Sequence, residues 1–143
     1  MFIRGEGGFG GSRSVTSEAR SPLVDPPDHT VTYATRDDQA LLYRLSGDRN
    51  PLHSDPVFAR RAGFERPILH GLCTYGFTGR ALLHELCDSD PGRFRSMRGR
   101  FSRPTYPGET LTVSMWVEGS KARFRTVGQS GDTVLDHGEF TFR

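Results

Sequence analysis

Asp48, Asn50 and His53 stand in one short stretch, Ser46-Gly47-Asp48-Arg49-Asn50-Pro51-Leu52-His53, which puts an acid, an amide and an imidazole on the same piece of chain. Imidazole is the side chain best matched to proton transfer near neutral pH. Asp48 could share a water molecule with it, and Asn50 could orient either partner. Further along, Gly71 stands where a very apolar helix is expected to begin. The first amides of a helix have no intrahelical acceptor, and the helix dipole favours negative charge there. Glycine lets a ligand come close to that backbone. A thioester carbonyl docked on it would have its developing enolate stabilised, and losing one such donor typically costs about 3–4 kcal/mol of barrier lowering. An acid, a base and a pre-aimed N–H are the parts needed to add water beside a carbonyl.

The elements that must position these groups follow from the pattern around them. Gly47 and Pro51 exclude a helix across the Asp48 to His53 stretch, because Pro51 pushes Asn50 towards extended backbone. Loops of this kind present functional groups from a rigid support. Upstream, His29 to Ala34 alternates as a strand. Thr35 offers an N-cap, with Asp37 and Asp38 in the first turn of a short helix that carries Ala40, Leu41, Leu42 and Leu45 and stops at Ser46-Gly47. Asp55-Pro56 starts a second short helical turn that ends near Gly63. From His70 to Leu86 the chain is apolar nearly all round, with Gly76 and Gly79 permitting close approach, so a buried helix is expected with Tyr75, Phe77, Leu82 and Leu83 in the core.

The remainder reads as sheet. Met97 to Arg103 alternates, and Tyr106-Pro107-Gly108-Glu109 has Pro and Gly where a type II turn needs them. Leu111, Val113, Met115 and Val117 share one face of the next strand, opposite Thr110, Thr112, Ser114 and Trp116. Lys121 to Gly128 and Thr133 to Phe142 supply two more strands. The spacing of Arg93, Arg95, Arg98, Arg100 and Arg103 breaks parity near Ser96 and again between Arg100 and Arg103, as bulges or a strand start would. The fold class is α+β, with a curved antiparallel sheet wrapped around one long central helix. Residual apolar surface on the sheet points to a dimer.

At 143 residues the chain accommodates one core. Residues 1–27, rich in Gly, Ser and Pro, read as an arm or linker ahead of a domain over 28–143. Gly5 to Gly10 matches the G-x-G-x-x-G pattern but lacks the preceding strand and following helix that a dinucleotide site requires. No apolar run approaches the ~20 residues of a membrane span, and the N-terminus lacks the apolar core of a signal peptide, so a cytoplasmic protein is expected. The net charge of +2 suits an anionic substrate and falls short of a nucleic-acid signature. Cys73 and Cys87 would lie roughly 21 Å apart on one helix, beyond disulfide reach, and read as reduced core residues.

The two blocks Ser46-Gly47-Asp48-Arg49-Asn50-Pro51-Leu52-His53 and Pro67-Ile68-Leu69-His70-Gly71-Leu72 resemble the hydratase 2 motif of MaoC-like, R-specific enoyl-CoA hydratases, and Pro104 to Leu111 resembles a strand turn of the same family. The resemblance implies a single hot-dog fold. It also implies reversible syn hydration of a trans-2-enoyl-CoA to the (3R)-3-hydroxyacyl-CoA, with no metal and no redox cofactor, coenzyme A entering as part of the substrate. Carried over by position, Asp48 and His53 bind and activate water, His53 being the base. Asn50 holds the geometry, and the N–H of Gly71 binds the thioester oxygen. His70, Leu72, Arg60 and Arg61 are the candidate substrate contacts. Enzymes closest to the motif resemble two fused hot-dog halves, and this chain is similar to the second, with Phe2 to Gly11 resembling the end of the first. The expected partner is an acyl-CoA or acyl-carrier thioester, bound by a homodimer.

Competing readings attach to the same residues. The loop polar groups could serve only their own turn. Asp48, His53, Asp55 and His70 could ligate a metal, but they are mixed in type and follow no known zinc spacing. Arg60, Arg61 and the Arg93 to Arg103 set could meet coenzyme A phosphates or form a solvated face. A catalytically incomplete half that needs a partner half is the alternative function, and a thioesterase on the same fold is a weaker one.

Overall fold

The computed structural model describes Leu23 and residues 25–143. Strand β1 (His29–Ala34) leads into helix α1 (Gln39–Tyr43) and a 3-10 turn (Arg44–Ser46), which Gly47 ends in the left-handed region at φ 112°. A second 3-10 turn (Pro51–His53), helix α2 (Pro56–Arg61) and the long helix α3 (Gly71–Cys87) follow. After a 3-10 turn at Pro91–Arg93 come β2 (Phe94–Phe101), β3 (Thr110–Glu118), β4 (Lys121–Gly128) and β5 (Thr133–Phe142). The five strands form one sheet in the order β1-β3-β4-β5-β2, every pairing antiparallel. Helix α3 packs on one face of it, as the hot-dog arrangement requires.

That face is the core. Leu82, Leu86 and Cys87 of α3 meet Val113 and Met115 of β3, Phe124 of β4 and Leu135 and Phe140 of β5. Alternate positions along β3 are buried, so period-2 patterning selects the inner face. Thr78 and Thr126 are buried among these groups, and their hydroxyls lie 2.8 Å apart, tying α3 to β4. Cys73 and Cys87 are buried free thiols, and desolvation pushes Cys73 up to about 11. Among the described residues no helix is long and apolar enough to cross a membrane.

Several local expectations change. Thr35 does not cap α1. Its hydroxyl donates to the Glu109 carbonyl (2.7 Å) and accepts from the Gly108 amide (3.1 Å), fastening β1 to the Tyr106–Glu109 turn. Asp38 stands at the cap position instead without a side-chain cap, its carboxylate engaged by Arg36 and held below its usual range by that hydrogen bond. The stretch around His53 does contain helix: Asn50 is extended (ψ 125°), as a residue before proline should be, and then caps one 3-10 turn begun by Pro51. One bulge falls near Ser96 as expected. The second lies between Arg98 and Arg100, at Gly99, because β2 ends at Phe101 and Arg103 never enters the strand. Helix α3 is buried on one face only. Leu72, Gly76, Arg80, His84 and Glu85 are exposed because a single sheet covers a single face. The arm read over residues 1–27 lies outside the described residues apart from Leu23 and 25–27, and so does the Gly5 to Gly10 pattern.

Candidate active site

The Asp48–His53 loop is built from its own side chains. The Asp48 carboxylate accepts the Asn50 amide (3.1 Å), and the Asn50 side-chain oxygen accepts the Leu52 amide (3.0 Å). These two consecutive Asx turns shape the backbone locally, and the second block adds contacts to it at the Asp48 carbonyl and the His53 ring. Asp55 then caps α2, its Oδ1 accepting from Val57 (2.7 Å) and Phe58 (3.1 Å), and it does not join the Asp48, His53 and His70 cluster. The Asn50 side chain serves this local geometry, and its carbonyl accepts the His53 amide (3.2 Å).

His53 is tied to the second block. Its Nδ1 lies 2.8 Å from the Ile68 carbonyl, and a carbonyl can only accept, so Nδ1 carries the proton. In the neutral ring Nε2 is then the lone-pair nitrogen. His53 is half-buried and lines a cleft of about 270 Å³ together with Phe64, Ile68, Gly71, Thr74 and Phe101. Gly71 is the first residue of α3, so its amide and that of Leu72 have no carbonyl a turn back to take them. A Cβ on Gly71 would meet the Phe101 ring at 3.3 Å, which makes glycine the residue that keeps both the ring and the amide beside the cleft. A proton acceptor and a helix N-terminus therefore share one apolar-walled cleft.

His70 is buried to 1% exposure and does not line the cleft; it lies behind His53. The two imidazoles stack with centroids 3.7 Å apart at 26°, and Tyr43 packs on His70 at 4.7 Å. His70 Nε2 donates to the Asp48 carbonyl (3.2 Å). Burial lowers its pKa first, with the neighbouring His53 adding to the shift. Asp48, His53 and His70 present ligand atoms that all lie within 4.8 Å of one another. Stacked rings hold their lone pairs in separate, nearly parallel planes, however, so a shared ion would require one ring to turn and break its bond to Ile68 or Asp48. Leu72 is 63% exposed beside the site, and Arg60 and Arg61 are exposed on α2, outside the cleft lining.

Phe101, Tyr43 and Ile68 were not singled out from the sequence. Ile68 acts through its carbonyl, which no side-chain pattern reveals. Phe101 and Tyr43 resemble any aromatic at the end of an element.

Residues 18–137 match the model of the MaoC like domain. The chain belongs to the MaoC-like family. It is 51% identical to mouse peroxisomal multifunctional enzyme type 2 over 96% of its own length and 19% of that protein's. It is 50% identical to 3-hydroxyacyl-thioester dehydratase Y of Mycobacterium tuberculosis, over 96% of this chain and 50% of the relative. The crystal structure of a MaoC-like dehydratase from Phytophthora capsici superposes with a TM-score of 0.88 at 43% identity, covering 96% of this chain and 47% of the other. The chain thus spans half or less of the length of these relatives.

Proposed function

We propose that this MaoC-like chain adds water reversibly across the double bond of a trans-2-enoyl thioester, giving the (3R)-3-hydroxyacyl thioester, and that it does so as a homodimer. The observation that carries the reading is the pairing, across one cleft, of a His53 whose Nδ1–H is committed to Ile68 with the N-terminus of α3 at Gly71. Water held between Asp48 and His53 gives a proton to Nε2 while its oxygen bonds to C3. The π pair moves through C2 to the thioester oxygen, where the Gly71 amide stabilises the enolate. C2 then takes a proton on the same face from the Asp48–His53 pair, which the proton held on Nε2 returns to its starting state, the carbonyl re-forms, and no net charge or electron is gained. No metal or redox cofactor enters this sequence of steps. Leu72, and the cations Arg60 and Arg61, are proposed to contact the acyl carrier. The proposed setting is the cytoplasm, although the mouse relative is named as peroxisomal.

The names of the relatives support this reading, since enoyl-CoA hydratase ChsH3 of M. tuberculosis is 49% identical over 94% of this chain. A second reading is favoured by the open face of α3. In it, the chain is the catalytic half of a pair and needs a separate first half. Both are tested by adding the purified protein to crotonyl-CoA and following loss of the conjugated-enoyl absorbance, with His53→Ala and Asp48→Asn alongside. Removal of a general base is expected to slow turnover by about 10²–10⁴-fold. Turnover equal in wild type and His53→Ala would sink the hydratase assignment. Activity that arises only when a first-half protein is supplied would select the second reading.

A further inference from the structure

His70 touches all three parts of the site without reaching the cleft. Its ring lies against His53 at 3.7 Å, its Nε2–H donates to the Asp48 carbonyl, and its own peptide carries the Gly71 amide. The His70 carbonyl accepts from Cys73 (3.0 Å) and Thr74 (3.2 Å), which fixes the plane of that peptide and hence the direction of the Gly71 N–H. Packing alone does not account for histidine here. The ring is 1% exposed, and its Nδ1 has no hydrogen-bond partner among the described residues. A buried nitrogen left unpaired costs stability, whereas phenylalanine would fill similar space without that cost. What phenylalanine cannot do is donate to Asp48.

We propose that His70 is a positioning residue for the hydration, one buried imidazole that sets the tilt of His53 and the backbone of Asp48 together, so that acid and base meet a single water. This inference rests on the hydratase reading for its kinetic consequence but not for its geometry. Sub-ångström registry of this sort is where a group remote from the reacting atoms can change turnover by as much as about 10²-fold.

Two variants separate the contacts. His70→Phe keeps a flat ring against His53 and removes the donor. His70→Gln removes the ring and keeps an N–H near the place of Nε2. In the folded proteins, His70→Phe is expected to lower kcat by about tenfold or more while KM for crotonyl-CoA stays within about twofold, the split that marks loss of transition-state geometry alone. His70→Gln is expected to recover several-fold of that loss. Equal kcat in wild type and His70→Phe, or a His70→Gln no better than His70→Phe, would overturn the proposal. Imidazole ¹⁵N NMR of the wild type from pH 5.5 to 8 gives a readout that needs no turnover and survives failure of either variant to fold. His70 is expected to stay the Nε2–H tautomer and His53 the Nδ1–H tautomer at pH 8. A His70 protonated on Nδ1 instead would remove the bond to Asp48 and with it the inference. An enzyme inactive on every enoyl thioester, but with those tautomers in place, would count against the hydratase reading and leave the positional arrangement standing.

Discussion

At the scale of single residues the proposed site turns on Gly71, whose N–H is proposed to meet the substrate oxygen and whose Cα faces the Phe101 ring. Alanine at Gly71 brings its Cβ to 3.3 Å from Phe101 Cε1, tighter than packed side chains normally stand, so the ring that lines the cleft must shift. Helix propensity favours alanine over glycine by up to ~1 kcal/mol, so the thermal midpoint of Gly71→Ala should hold. Its kcat/KM should nevertheless fall by about tenfold, since small displacements at the reacting carbonyl are costly. Phe101→Leu added to Gly71→Ala should recover much of the loss, and strictly additive effects of the two changes would refute the steric account. His70 makes a second prediction. Its folded pKa lies below the ordinary 6.5, so between the two values the unfolded chain binds more protons than the native one. The neutral ring's contribution to stability is therefore complete above pH 6.5 and is lost as the pH falls below it. The gap in thermal midpoint between wild type and His70→Phe should shift in favour of the variant from pH 7.5 to pH 5.5, and a gap unchanged across that range would contradict it.

At the scale of elements, the tightest constraint lies between β4 and β5. A Cβ on Gly138 would sit 2.3 Å from the Phe124 carbonyl oxygen and 2.4 Å from its ring. Main chain cannot step aside as a flexible side chain can, so Gly138→Ala should cost about 3 kcal/mol, readable as a fall of roughly 10 °C in the thermal midpoint. A fall of less than about 2 °C would mean that the two strands can separate locally. The strands themselves were legible in the sequence. His29–Ala34, Lys121–Gly128 and Thr133–Phe142 end where alternation ends, and the Tyr106–Glu109 turn was marked by Pro107 and by Gly108, which takes φ 89°. The short α1 was harder to read, since Thr35 satisfies Glu109 across the fold and not its own helix. The site divided the same way. Asp48, Asn50, His53 and Gly71 could be named because their types and spacing form a pattern. The Ile68 carbonyl that sets the His53 tautomer, and the ring stack that places His70 behind it, are tertiary contacts with no signature along the chain.

At the scale of the molecule, the open face of α3 is the feature that a single sheet leaves unresolved. Leu72 is 63% exposed there, Gly76 has nothing within 4 Å of where a Cβ would be, and Phe101 is 49% exposed at the end of edge strand β2. The Leu72–Gly76 end of this face carries no charge and lies beside an edge strand, the kind of surface that a partner covers. A second copy related by a two-fold axis would bring its own helix against this face, and glycine at position 76 permits the close approach that a larger residue would block. The proposed homodimer should therefore be weakened by Gly76→Leu, which fills open space and disturbs nothing within the protomer, and by Leu72→Glu, which buries a charge in the contact. Sedimentation equilibrium of the wild type should give twice the chain mass at micromolar concentration, with the two variants dissociating at concentrations about tenfold or more higher, the equivalent of 1.4 kcal/mol or more lost from the interface. Leu72 adjoins Gly71, so its replacement tests position as well as association, whereas Gly76 lies a turn further along α3. Turnover per chain in Gly76→Leu should accordingly fall on dilution in step with the dimer fraction. A wild type that is monomeric and fully active at every concentration would show that one sheet and one helix suffice for catalysis, and that the exposed face of α3 has no part in it.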